Sequence, residues 1–195
     1  MNLLQRFLLQ FMKNISLIIL LLFTSHFAKS QQLSPNVTIT PMQCSSYIPN
    51  PLMDKFVGHW KWTSSNNSFE MILKKEKTYN IIEDDHSCVD YIIGFHQYIK
   101  NGVIIENSLQ HQNTNFSQKL KSIFGAGVIP GDILWAGIDN LSTGSHVKME
   151  VEYIDATHIK IKSIKNYPGT KLYLPGETIP SSEITLPQNI ILTKQ

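Results

Sequence analysis

Several shortages in this sequence each exclude a class of protein. Arginine occurs once, at Arg6. Beyond it the chain has no guanidinium to grip phosphate or carboxylate bidentately, which counts against phosphate-rich ligands. Cysteine occurs only at Cys44 and Cys88. Neither belongs to a Cys-x-x-Cys pair and no His-x-x-x-His accompanies them, so the usual zinc spacings are missing. There is no Gly-x-Ser-x-Gly elbow for a nucleophilic serine. Gly125-Ala126-Gly127 lacks the Lys-Ser/Thr that a phosphate loop needs. Beyond residue 30, no apolar stripe at helical spacing lasts longer than about two turns. The longest apolar run, Ile15 to Phe23, is about nine residues, where a spanning helix needs about 20.

What is present begins with an export signal over residues 1–30. Arg6 and Lys13 supply a positive flank, Ile15 to Phe23 an apolar core, and Ala28-Lys29-Ser30 small residues around a cleavage point before Gln31. The expected compartment is secreted or periplasmic, with no transmembrane anchor left after cleavage. Met12, followed at once by Lys13, is an alternative start to Met1. Cleavage removes three basic residues and no acid, leaving 14 basic against 15 acidic groups and a net charge of −1. A near-neutral domain has no electrostatic reason to seek nucleic acid or an anionic membrane.

Residues 31–50 form a polar, proline-bearing lead-in with one strand candidate, Val37 to Thr40, and residues 51–195 suit a single domain. In an oxidising compartment two cysteines favour a Cys44–Cys88 disulfide. Closing a loop of about 44 residues would stabilise the fold by roughly 4 kcal/mol at most. Metal binding at Glu83-Asp84-Asp85-His86-Ser87-Cys88 is the competing reading; its mixed donors and irregular spacing argue against it, and no metal or cofactor is expected.

Alternation of period two dominates the rest. Phe56, Gly58, Trp60 and Trp62 share one strand face. Phe69, Met71 and Leu73 share another, after a turn at Ser64 to Ser68. Val89 to Lys100 is the longest strand candidate, with Val89, Tyr91, Ile93, Phe95 and Gln97 on one face. Asn101-Gly102 then predicts a hairpin, because both residues tolerate positive φ. Val147, Met149, Val151 and Tyr153 alternate with His146, Lys148, Glu150 and Glu152; a turn at Asp155 to Thr157 leads into Ile159 and Ile161. Residues 122–137 read as short strands around a glycine-rich loop, and Asn189 to Thr193 as a last strand. About eight to ten antiparallel strands must hide their edges, which a closed barrel does.

Phe56-Val57-Gly58-His59-Trp60-Lys61-Trp62 resembles the first strand of a lipocalin-like barrel, with Gly58 and Trp60 at the Gly-x-Trp positions. With Ile190-Ile191-Leu192-Thr193-Lys194 at the end, the chain from about Pro51 is similar to small uncharacterised bacterial secreted proteins, a family of unknown function. The resemblance implies an all-β, antiparallel, up-and-down barrel whose Trp plugs one end. The lipocalin family also stacks an arginine from a late strand on the Trp; this chain departs from the pattern, having no arginine there, and Lys194 is the only substitute it offers.

The expected function is binding of a small apolar ligand inside the barrel, lined by Trp60, Trp62, Phe69, Met71, Tyr91, Ile93, Phe95, Met149, Val151 and Tyr153. The alternative is a protein-interaction module whose same residues are simply packed core; an exposed patch near Phe124 to Trp135 would favour it. An enzyme with a grafted site is the weakest reading. His59, His86, His96, His111, His146 and His158 are scattered and expected at the surface, and Glu150 and Glu152 read as solvated carboxylates, so no catalytic residue is assigned.

Overall fold

A computed structural model describes residues 44–80, 87–167 and 181–195. The expected signal segment, the strand candidate at Val37 to Thr40 and the acidic run Glu83 to His86 lie outside the described residues. Ten strands are present: β1 (Tyr47–Ile48), β2 (Gly58–Ser64), β3 (Asn67–Tyr79), β4 (Cys88–Lys100), β5 (Val103–Asn107), β6 (Ile123–Ile129), β7 (Ile133–Asn140), β8 (Ser145–Asp155), β9 (His158–Asn166) and β10 (Ile190–Lys194). Among the described residues the only helices are short 3-10 turns, and none is long and apolar enough to cross a membrane.

Eight strands close into an antiparallel barrel in the order β4-β3-β2-β10-β9-β8-β7-β6, and β6 returns to β4. The all-β barrel expected from the alternation is therefore present. Tight turns set the register. Ser65-Asn66 joins β2 to β3, and Ala156-Thr157 joins β8 to β9. Asn101 and Gly102, both at positive φ (54° and 78°), join β4 to β5 as the Asn-Gly pair predicts.

One edge of β4 is shared by three partners in series. Cys88 and Val89 pair with β1 in parallel, Ile92 to Gly94 with β6, and Gln97 to Lys100 with β5. The disulfide between Cys44 and Cys88, with Cα atoms 5.5 Å apart, fastens the lead-in to this edge. Asp90 adds to it, accepting from the Tyr47 hydroxyl at 2.7 Å and the Asn50 amide at 2.9 Å. Burial alone would push the Asp90 carboxyl up; these donors and Lys75 bring it below the usual range.

The interior is a continuous apolar cluster that includes Trp60, Phe69, Met71, Ile92, Met149, Val151 and Leu192. At one end the 3-10 turn Pro51–Phe56 inserts Met53 and Phe56 into it. Phe56 was expected on the first strand; Pro51 and the Asn50 cap curl it into this turn instead, and the Trp60 indole N–H donates to the Phe56 carbonyl at 2.8 Å. The opposite end holds a buried polar network.

Strand β4 corrects the sequence reading. Its interior residues are Ile92, Gly94, His96 and Tyr98, which pair across to Leu73, Met71 and Phe69 and to Ile123 and Gly125 of β6. Tyr91, Ile93 and Phe95 were expected inside; they lie on the outer face, buried but apart from the interior cluster. The segment after β5 covers them. Phe116 stacks on Tyr91 at 6.0 Å, Lys74 reaches the Thr114 carbonyl at 2.7 Å, and the Phe116 amide donates to Glu76 at 2.8 Å. A strand covered on both faces is apolar on both, so alternation cannot say which face points inward.

Candidate functional site

Among the described residues two clusters gather chemistry-bearing side chains; the sequence pattern gave no sign of the first, and touched the second only as an exposed patch near Phe124 to Trp135. The first lies at the barrel end away from Trp60. His96, expected at the surface, is wholly buried on β4 and stacks on Phe69 at 5.7 Å. Its Nε2 donates to Glu106 of β5 at 2.9 Å, and its Nδ1 lies 2.8 Å from the Ser122 hydroxyl. Ser108 Oγ is 2.7 Å from Ser122 Oγ and also takes the His96 amide. The second Glu106 oxygen accepts from the Ser142 hydroxyl at 2.7 Å and the Ser142 amide at 3.2 Å. Thr185 bridges Glu106 and Asn140. Desolvation pushes the Glu106 carboxyl up, but the His96 and Ser142 hydrogen bonds and the facing imidazole outweigh it and hold the pKa at about 2.

Serine, histidine and carboxylate in a chain is the order that activates a nucleophile. Here the Ser122 hydroxyl points into the wall and is already shared between His96 and Ser108. The relay instead joins β4, β5, the β7–β8 turn and the segment before β10, leaving their buried polar atoms satisfied.

The second cluster lies on the outer wall over β6, β7 and β8. Two depressions of about 340 Å³ and about 410 Å³ share Phe124 and His146 and form one groove. Phe116, Lys119, Lys121 and Asp139 line one part; Ala126, Trp135, Gly137, Lys148 and Tyr167 line the other. Trp135 is 46% exposed and Tyr167 is 40% exposed, high values for aromatic rings on a sheet.

Gly137 makes the floor. It sits across the ladder from Phe124 on one side and Lys148 on the other, a gap in the outer row. A side chain there would collide with the His146 imidazole and lie 3.1 Å from the Tyr167 hydroxyl. The bare backbone lets the two rings stack over it, at 5.6 Å and 8°. Asp139 accepts from His146 Nδ1 at 2.7 Å. A carboxylate only accepts, so Nδ1 carries the proton of that bond and the other nitrogen is turned toward the floor. Lys121 lies 4.2 Å over Phe116, and Lys148 4.2 Å over Trp135. Lys148 also pairs with Glu150 at 2.9 Å; this pairing and the bond from Ser163 hold the Glu150 carboxyl low.

The ten residues proposed from sequence as a lining separate into three groups. Trp60, Phe69, Met71, Met149 and Val151 are interior and have no exposed surface. Trp62 and Tyr153 pack against that cluster from its margin. Tyr91, Ile93 and Phe95 are outside. A void able to hold even one water against the first five would leave them measurable surface, so the packing around them is closed. The groove left a faint trace in the sequence: Gly137 breaks the alternation of an aromatic-bearing strand between Trp135 and Asp139. Tyr167 left none.

At the Trp60 end, the Lys194 ammonium stands 5.1 Å from the Trp60 ring. Its stem runs over Gly58, where a side chain would meet Lys194 Cε at 2.7 Å.

Compared with known families, residues 12–195 match a family of unknown function, DUF6705. No curated protein and no solved structure matches the chain.

Proposed function

The chain belongs to the DUF6705 family, and we propose that it is an exported binding protein whose barrel is a filled scaffold and whose ligand docks on the outer wall. The observation that carries this reading is the contrast in access. The interior candidates Trp60, Phe69, Met71, Met149 and Val151 are enclosed on every side, while exposed aromatic rings converge on the bare Gly137 backbone outside. Export is supported by the apolar leader with its small-residue cleavage point and by the Cys44–Cys88 bridge, which persists in oxidising compartments. A lipocalin-like origin is supported by Gly58, Trp60 and Lys194, which meet at one barrel end as the Gly-x-Trp pattern and its late-strand cation imply. We assign binding rather than catalysis, since the Ser122–His96–Glu106 relay is closed within the wall.

The test is titration of the purified protein with fatty acids, aromatic acids and saccharides, followed by Trp fluorescence. A ligand of the outer wall changes the emission, and Trp135→Phe abolishes the change. Gly137→Val abolishes binding while the far-ultraviolet circular dichroism stays that of the wild type. A fatty-acid response that survives both substitutions would return the ligand to the barrel interior and overturn the outer-wall reading.

A further inference from the structure

The charges around the groove narrow the ligand, on the premise that ligands bind at the outer wall. Lys119 and Lys121 border the Phe116 side, and among the described residues neither has a carboxylate within ion-pair distance. Lys148, on the Trp135 side, is already paired with Glu150, so the free positive charge lies on the Phe116 side. Among the described residues the only acid lining either depression is Asp139, which is engaged by His146. The groove therefore presents positive charge beside aromatic surface, with the Lys121 ammonium held 4.2 Å over Phe116 and 5.7 Å over Phe124.

We infer that the groove takes a carboxylate borne on a ring, the ring against the aromatic wall of Phe124, Trp135 and Tyr167 and the carboxylate on Lys121. Burial lowers the Lys121 pKa; Asp139 and Glu76 offset this only in part and the neighbouring Lys119 adds to it, so the ammonium 4.2 Å over Phe116 lacks a full counter-charge. A carboxylate supplies that charge. The partly buried Lys121 ammonium is a point charge rather than a planar fork, with only the exposed Lys119 beside it, and no arginine follows Arg6 to grip a phosphate dianion bidentately, so a monoanion fits better. The ring accounts for the other half of the site, because aromatic side chains on a flat sheet surface stack on planar and saccharide rings alike. Aromatic acids and acidic saccharides both carry this chemistry.

The experiment is calorimetric titration of the purified protein with two matched pairs: phenylacetate against phenylacetamide, and trigalacturonate against its methyl ester. The expected result is that one acid binds roughly tenfold or more tightly than its neutral partner, and which acid does so identifies the source. Lys121→Gln brings the acid down to the neutral partner's affinity and leaves the neutral partner unchanged, which also shows that the fold is intact. Lys121→Arg retains the preference. Equal affinity within both pairs, a preference that survives Lys121→Gln, or no heat from any of the four probes overturns the inference. The outer-wall reading fails separately, if binding of any probe persists in both Gly137→Val and Trp135→Phe; equal affinities that those two variants abolish leave it standing.

Discussion

Two histidine–carboxylate pairs, built alike, serve opposite ends in this molecule. His96 bonds Glu106 at 2.9 Å with neither side chain exposed, and His146 bonds Asp139 at 2.7 Å with both about half exposed. Each joins residues on neighbouring strands. The buried pair has every remaining polar position taken up by serine and threonine hydroxyls and a backbone amide. The open pair has an aromatic neighbour, a bare glycine beneath it and, nearby, Lys119 and Lys121, which have no ion-pair partner among the described residues. The difference shows that surroundings, not the pair, decide the role: enclosure makes a polar pair a structural joint, and access makes it a site.

The sharpest way to break this comparison is to remove one carboxylate from each pair. Glu106→Ala strands the buried His96 imidazole and the Ser142 and Thr185 donors, and is expected to cost about 3–5 kcal/mol of stability, read as a shift in the urea midpoint. A loss under ~1 kcal/mol would mean that the network is dispensable or hydrated.

Acid should weaken the buried pair next. The Glu106 pKa falls from 4.5 to about 2 on folding, so its contribution is fully present above the unfolded value. It is lost as pH falls from about 4.5 through about 2, because the unfolded chain then binds a proton that the native carboxylate refuses. Asp155, held to about 2 by Thr157 and His158 in its exposed turn, titrates over the same window. The part due to Glu106 is therefore the difference between wild type and Glu106→Gln in urea midpoints across pH 2 to 5. A wild-type midpoint as insensitive to acid as that of Glu106→Gln would contradict the assignment.

The smallest effect belongs to the open pair. Asp139→Asn should change stability by less than about 1 kcal/mol, since half-exposed ion pairs are well screened. A midpoint shift comparable with that of Glu106→Ala would show that the outer pair is structural as well and erase the contrast.

How legible these features were follows from what a strand pattern can carry. Strands wet on one face were readable: Val147, Met149 and Val151 point inward and His146, Lys148 and Glu150 outward, as their alternation says. The Asn101-Gly102 hairpin was readable because positive φ is a property of the residues themselves. Strand β4 was not, since Tyr91, Ile93 and Phe95 are as apolar as a core face and are buried by a loop that the alternation does not report. His96 was misplaced for the same reason: a lone polar residue in an apolar run gives no hint of a glutamate waiting to receive it.

By itself, then, the sequence determined the period of two, the positions of the tight turns, a range of about eight to ten strands and the cysteine pair, because each depends on neighbours in the chain or on an inventory of residues. Only the tertiary structure decided that Trp60, Phe69, Met71, Met149 and Val151 are fully enclosed, that Glu106 meets His96, and that Trp135, Tyr167 and His146 gather around Gly137. Those juxtapositions arise when β6 closes on β4 and distant segments share one wall, and a local pattern contains no term for what lies across the barrel.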